Sequence, residues 1–285
     1  MTSLYNIYTN TMRRITFEKN VMDRRKRGEE VFLPLYGEDE IRSASSKRKA
    51  KIIPFVIGEN KPTVIICPGG GYEFVSINNE GYDFAKKFNG LGLNAFVVVY
   101  RVGKNARFPS PMEDLARAIC FVKRNAEKYN IDAENFYLCG SSAGGHLCAY
   151  FGAKYKDFEK SYMGKNYDLR PKGIVLAYPV ISLYKDTHEG SCRTLLGNHC
   201  TDEEKRAKSV ELIADESYPP TFFWHFETDK TVPVSNSIRL DEKLSSLGVK
   251  HKFGRYPVGT HGIGLADGTT AEGWIYEADK FLRSI

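Results

Sequence analysis

From residue 51 onward, apolar positions recur in two rhythms. Short continuous runs bounded by Gly, Pro and Asn occupy 51–57, 63–67, 94–101, 136–140, 173–179 and 221–226, and a more mixed run covers 251–258. Runs of that length suit strands buried on both faces, as in a mainly parallel sheet. Between them the spacing changes to the helical three-and-four. Phe84, Ala85 and Phe88 share one face of a helix ending near Gly90. Met112, Leu115, Ile119, Val122 and Ala126 share another, opened by Ser110-Pro111-Met112-Glu113, which reads as a capping box with proline at the first helical position. Leu240, Leu244 and Leu247 precede Gly248 as a C-terminal signal, and Ala271, Trp274, Ile275, Ala278 and Phe281 mark a final helix.

Strand and helix in alternation predict an α/β fold with right-handed crossovers. Residues 51–285 are expected to form one catalytic domain with a mainly parallel central sheet flanked by helices. Residues 1–50, with short strands at 14–18 and 30–35, are expected to be an N-terminal extension packed on it. One segment breaks the rhythm. Residues 182–217 are polar, too long for an ordinary connection, and read as a small lid insertion with a short helix over 203–213.

Composition changes this picture little. The chain is 42% hydrophobic and 27% charged, with 41 Lys and Arg against 35 Asp and Glu. Its excess positive charge collects near the start, as in Arg24-Arg25-Lys26-Arg27 and Lys47-Arg48-Lys49, without the aromatic interleaving of a nucleic-acid module. No stretch approaches the roughly 20 apolar residues that span a bilayer. The N-terminal residues lack an apolar core, so no secretory signal and a cytoplasmic location are expected. Six cysteines follow no framework pattern, and Cys67, Cys120, Cys139 and Cys148 sit in apolar segments as small hydrophobes. His188, Cys192, His199 and Cys200 match no zinc spacing, so no metal or cofactor is expected.

The chemistry concentrates at Phe136-Tyr137-Leu138-Cys139-Gly140-Ser141-Ser142-Ala143-Gly144, a strand, a tight turn and a helix start. Glycines two before and two after Ser142 fit a turn in which a Cβ at either place collides with its neighbours. Such a turn lifts the serine hydroxyl clear of the sheet, and the following Ala143 N–H lies at a helix N-terminus where it stabilises an oxyanion. Ser141 is the competing serine, but Ser142 is the one the glycines flank. After the strand over 63–67, Pro68-Gly69-Gly70-Gly71-Tyr72 bares its backbone N–H groups, and Gly70 and Gly71 are the expected second half of the oxyanion hole. A phosphate loop would need Gly-Lys-Ser/Thr at its end, which Tyr72-Glu73-Phe74 does not supply.

A serine nucleophile needs a histidine base oriented by a carboxylate, following it in the order acid, then histidine. Of six histidines only His261 lies in a loop after the last strand, whereas His146, just inside the helix after the turn, reads as structural. Asp229 lies just beyond the strand over 221–226, where catalytic groups gather in open α/β sheets, with Glu227 its nearest rival.

These segments together resemble the α/β-hydrolase esterase/lipase family, in its acetyl-xylan esterase-like and feruloyl esterase-like branch. The resemblance runs from about residue 62 to the C-terminus. It rests on CPGGGY (67–72), VVVYRV (97–102), GSSAGGHL (140–147), AYPV (177–180), YPPTFFWHFETDKTVPVSNS (218–237) and GTHGIGLADG (259–268). It implies an α/β-hydrolase fold, a Ser142, Asp229, His261 triad and an oxyanion hole of Gly70, Gly71 and Ala143. Pro68 stands where many relatives have a histidine, which favours the acetyl-xylan branch over the hormone-sensitive-lipase branch. The implied partner is a small-molecule or oligosaccharide ester, with acetyl the expected acyl group; no nucleic acid or membrane partner is expected, and a homo-oligomer is left open. Two rivals stand beside the esterase. Prolyl-peptidase catalytic domains share the fold and triad order, although 285 residues are expected to leave no room for their usual propeller. The other is a non-catalytic binding protein on a hydrolase scaffold, against which the three intact residues argue.

Overall fold

The computed structural model describes residues 18–162 and 167–285. Eight strands form one sheet: β1 (Leu33–Pro34), β2 (Lys51–Phe55), β3 (Lys61–Cys67), β4 (Asn94–Val99), β5 (Ile131–Ser141), β6 (Gly173–Ala177), β7 (Thr221–Phe226) and β8 (His251–Tyr256). Their order is β1-β2-β4-β3-β5-β6-β7-β8, with β1 and β2 antiparallel to their neighbours and β4 through β8 parallel. The helices are α1 (18–26), α2 (Glu38–Ser43), α3 (Asp83–Gly90), α4 (Ser110–Arg124), α5 (Ala126–Tyr129), α6 (Ser142–Tyr162), α7 (Glu189–Leu196), α8 (Asp202–Arg206), α9 (Val210–Ile213), α10 (Ser235–Ser246) and α11 (Trp274–Leu282).

The continuous apolar runs are explained by burial on both faces. In β3, Ile65 and Cys67 face a core shared with α4, α6 and α10, while Val64 and Ile66 face a second core built with α3 and α11. Leu115 and Ile119 of α4 and Leu240 and Leu244 of α10 belong to the first; Phe84, Phe88, Trp274 and Phe281 belong to the second. The four helix faces read from the spacing therefore pack on the sheet as expected.

Four features differ from the pattern. β5 starts five residues before the apolar run. Residues 131–135 carry a polar turn in which Asp132 Oδ1 accepts the Glu134 and Asn135 N–H groups, and the register with β3 shifts there between Pro62 and Thr63. Second, the Ser110–Glu113 capping box does not form. Glu113 instead pairs with Arg101 Nη2 at 2.8 Å, and Pro109 stands at the N-cap after a cis peptide bond. Third, the single helix expected over 203–213 is two, α8 and α9, parted at Ser209, whose buried hydroxyl donates to the Lys205 carbonyl. Fourth, of the run 30–35 only Leu33–Pro34 is a strand, and the run 14–18 lies outside the described residues apart from Glu18, which is helical.

Residues 33–50 contribute Leu35, Tyr36 and Ile41 to the first core. The Tyr36 hydroxyl donates to Asp114 Oδ1 at 2.7 Å, and Arg101 grips the same buried carboxylate through Nε at 3.0 Å and its backbone N–H at 2.7 Å. Burial pushes the Asp114 carboxyl up while Arg101 and Tyr36 pull it down, so the guanidinium is what makes an ionised Asp114 tolerable there. Arg101→Met should therefore destabilise the protein by about 3–5 kcal/mol. Tyr36→Phe, losing the bond to Asp114 and the one its hydroxyl accepts from Arg101 Nη2 at 3.2 Å, should cost less, about 1–2 kcal/mol. Urea unfolding of the two variants measures both.

Candidate active site

Four parallel strands deliver the site from their carboxyl ends: β3 into the glycine loop, β5 into Ser142, β7 into Asp229 and β8 into His261. The turn after β5 is very tight. A Cβ on Gly140 would lie 2.2 Å from the Gly144 carbonyl oxygen, one on Gly144 would lie 2.0 Å from that of Cys67, and one on Gly145 would lie 2.7 Å from Pro179 Cβ. No side chain fits at these places. Ser142 itself holds φ at 52°, a left-handed conformation that costs a non-glycine residue roughly 1–3 kcal/mol. Its carbonyl accepts the Val180 N–H at 3.0 Å.

His261 Nε2 lies 2.8 Å from Ser142 Oγ and Nδ1 lies 2.6 Å from Asp229 Oδ2. With an ionised Asp229, Nδ1 carries the ring proton and Nε2 accepts from the serine hydroxyl. Asp229 Oδ1 accepts the Thr231 and Val232 N–H groups at 2.9 and 3.0 Å. His225 Nε2 donates to the Val232 carbonyl at 2.9 Å and stands 3.3 Å from Asp229 Oδ2. Burial alone would raise the Asp229 pKa. The hydrogen bonds from His225, His261 and the backbone prevail and hold it well below the usual carboxylate range. Glu227 is exposed and pairs with Arg255 at 3.0 Å, outside the site. Ser141 is fully buried at the last position of β5.

Gly70 and Gly71 adopt φ of +124° and +64°, and a Cβ on Gly70 would lie 2.2 Å from the Phe74 carbonyl oxygen. The Gly70 carbonyl closes the turn by accepting from Glu73 and Phe74 at 2.9 and 3.2 Å. Among the described residues, the Gly70, Gly71 and Ala143 N–H groups donate to no acceptor. Gly70 and Gly71 border the same cleft of about 420 Å³ as Ser142 and His261, and Ala143 follows Ser142 at the start of α6. Tyr72 fastens this loop to the nucleophile helix, since its hydroxyl donates to His146 Nδ1 at 2.8 Å while His146 Nε2 donates to the Lys208 carbonyl at 2.8 Å. His146 is structural, as read from its place in the chain.

Sequence reasoning missed Glu80. This carboxyl is buried behind the glycine loop, taking the Gly69 N–H at 2.9 Å and the Tyr178 hydroxyl at 2.7 Å. Burial raises its pKa. Tyr178 in turn accepts the Gly264 N–H at 3.0 Å, and its ring packs edge-on against His261 at 4.9 Å. Asn79 completes the brace by donating to the Gly262 carbonyl at 2.9 Å. The glycine loop and the histidine loop are thus joined through one buried acid. One solitary Glu within Asn78-Asn79-Glu80-Gly81 gives no periodic signal, although its partners Gly69 and Tyr178 lie in the segments CPGGGY and AYPV. Among the described residues no group of three or more His, Cys, Asp or Glu is placed to hold a metal, and no helix is long and apolar enough to cross a membrane.

Burial lowers the His146 pKa to about 4, against about 6.5 in an unfolded chain. Between those values the unfolded state binds a proton that the folded state refuses, so stability falls as pH drops through this window. His146→Gln removes that titration. From pH 7 to 4.5 its stability should decline less than that of the unaltered protein by about 2 kcal/mol, read by urea unfolding at each pH.

Comparison with known proteins identifies the family. The family described as BD-FAE matches residues 52–244. A relative named endo-1,4-beta-xylanase B, from Butyrivibrio fibrisolvens, is 37% identical over 229 residues, covering 78% of this chain and 36% of the relative. An acetylxylan esterase of Xylanibacter ruminicola is 28% identical, covering 85% of this chain and 48% of its own length. The chain thus spans between a third and a half of these curated relatives. Among solved structures, an acetyl ester-xyloside bifunctional hydrolase from Caldicellulosiruptor lactoaceticus superposes with a TM-score of 0.80 at 32% identity, covering 90% of this chain and 96% of that one. The chain belongs to the BD-FAE family and has the α/β-hydrolase fold.

Proposed function

We propose that this chain hydrolyses carboxylic esters by a Ser142-His261-Asp229 triad through an acyl-enzyme. The observation that carries the reading is the unbroken line of short hydrogen bonds from Asp229 through His261 to Ser142 Oγ, set beside three unused backbone donors. In the first step, His261 Nε2 takes the Ser142 proton as Oγ attacks the ester carbonyl. Developing charge on the carbonyl oxygen is held by the Gly70, Gly71 and Ala143 N–H groups. The imidazolium then protonates the departing alcohol, and Asp229 stabilises its charge. Water, deprotonated by His261, finally cleaves the acyl-serine and restores the free hydroxyl.

Acetyl is the acyl group we propose, carried on a sugar or xylo-oligosaccharide. The support is the naming of relatives as an acetylxylan esterase and an acetyl ester-xyloside hydrolase, together with a cleft of modest volume. A prolyl-type peptidase and a non-catalytic scaffold remain the competing readings. A scaffold has no need of a serine held in a strained conformation against a buried, ionised acid.

Ser142→Ala should lower kcat/KM for p-nitrophenyl acetate by at least about 10⁴-fold in a folded protein. A fluorophosphonate probe should label the unaltered protein at Ser142 and leave this variant unlabelled. Near-normal hydrolysis by the variant would refute the assignment. Asp229→Asn, which favours the wrong imidazole tautomer, should reduce kcat about 10⁴-fold in the same assay.

A further inference from the structure

The segment over 182–217 brings into the cleft a histidine that the acyl-transfer steps leave unused. His188 caps α7, its Nδ1 accepting the Ser191 N–H at 3.2 Å and lying 2.8 Å from Ser191 Oγ. With Nδ1 occupied as an acceptor, the neutral ring carries its proton on Nε2. Burial, and then the nearness of His261, lower its pKa, so neutral imidazole is the form present near pH 7. Its edge lies beside the oxyanion loop: a Cβ built on Gly71 would stand 3.6 Å from Cε1, and one on Gly190 would stand 3.6 Å from Nε2. Among the described residues Nε2 has no hydrogen-bond partner, and the ring borders the same cleft as Ser142 and His261.

An acetyl ester offers the enzyme one carbonyl oxygen, to which the proposed mechanism assigns the Gly70, Gly71 and Ala143 N–H groups, and a methyl group that needs no donor. A further N–H in the cleft therefore has only the alcohol half of the substrate to serve. A plain hydrocarbon alcohol would leave that donor dry and unpaired, at a cost in binding. The cleft also presents Phe74, 61% exposed, a large apolar ring kept at the surface. An aromatic ring and a fixed N–H donor lining one cleft match a pyranose, which has a C–H face and a ring of hydroxyls.

We infer that His188 is a specificity-determining residue: Nε2–H donates to an oxygen of a sugar alcohol whose C–H face rests on Phe74. This rests on the esterase reading of Ser142. His188→Asn separates the donor from the cap, because its amide oxygen still accepts the Ser191 N–H while the shorter side chain withdraws from the cleft. His188→Gln retains a longer donor. The measured quantity is the ratio of kcat/KM on an acetylated xylo-oligosaccharide to kcat/KM on p-nitrophenyl acetate. That ratio should fall about 10- to 100-fold in His188→Asn, chiefly through KM on the sugar ester. His188→Gln should recover much of it, and Phe74→Ala should lower it as well. A ratio within twofold of the unaltered protein in His188→Asn overturns the assignment. So does an unaltered protein that cleaves p-nitrophenyl acetate but no sugar ester, an outcome that leaves the serine-esterase reading standing. A protein inert to both esters, with Ser142 unlabelled by a fluorophosphonate, would instead remove the esterase reading itself.

Discussion

The Cys67 carbonyl and the first turn of α6 meet with no space for a side-chain carbon between them. Everything at the site follows from that contact. It fixes how far β5 can run before the chain must turn, and so where Ser142 emerges. It also sets the glycine loop, which begins one residue after Cys67, directly against the N-terminus of the nucleophile helix. Donors from two distant parts of the chain therefore converge because two backbones touch. Ser142 holds its left-handed φ in the turn that this contact closes.

Around this contact lies a layer of buried polar groups that join loops rather than fill the core. Tyr72 and His146 connect the glycine loop to α6 and to Lys208; Glu80 and Tyr178 connect it to the loop of His261. On the far side of the first core, Arg101, Asp114 and Tyr36 tie residues near the N-terminus to β4 and α4. In each case a charged or hydroxyl group is buried at a cost and recovers it by bridging segments far apart in sequence.

What the sequence made legible was whatever depends on near neighbours or on periodicity. Gly140 and Gly144 announced the turn because only glycine fits there. Asp229 and His261 were found because strand ends are visible as the ends of apolar runs. The rest was set by distant partners. Glu113 has the right type and spacing for a capping box, yet Arg101, twelve residues earlier, offers its carboxylate a buried ion pair instead. The division of 203–213 into two helices turns on Ser209 meeting Leu183. Glu80 gave no sign at all, because its importance lies in Gly69 and Tyr178, residues 11 and 98 positions away.

The segment that carries His188 is tied together where it begins and where it ends. Leu183 donates its N–H to Ser209 Oγ at 2.9 Å, and Val210 donates to the Ile181 carbonyl at 3.0 Å. Chain entry and exit are stitched together there, and further ties run from the stretch between them: Leu195 accepts the Phe108 N–H at 2.9 Å and the Lys208 carbonyl accepts from His146 Nε2 at 2.8 Å. The wall of the cleft that this stretch supplies is thus held at its base and along its length, so a sequence change there must keep these ties if the cleft is to keep its shape.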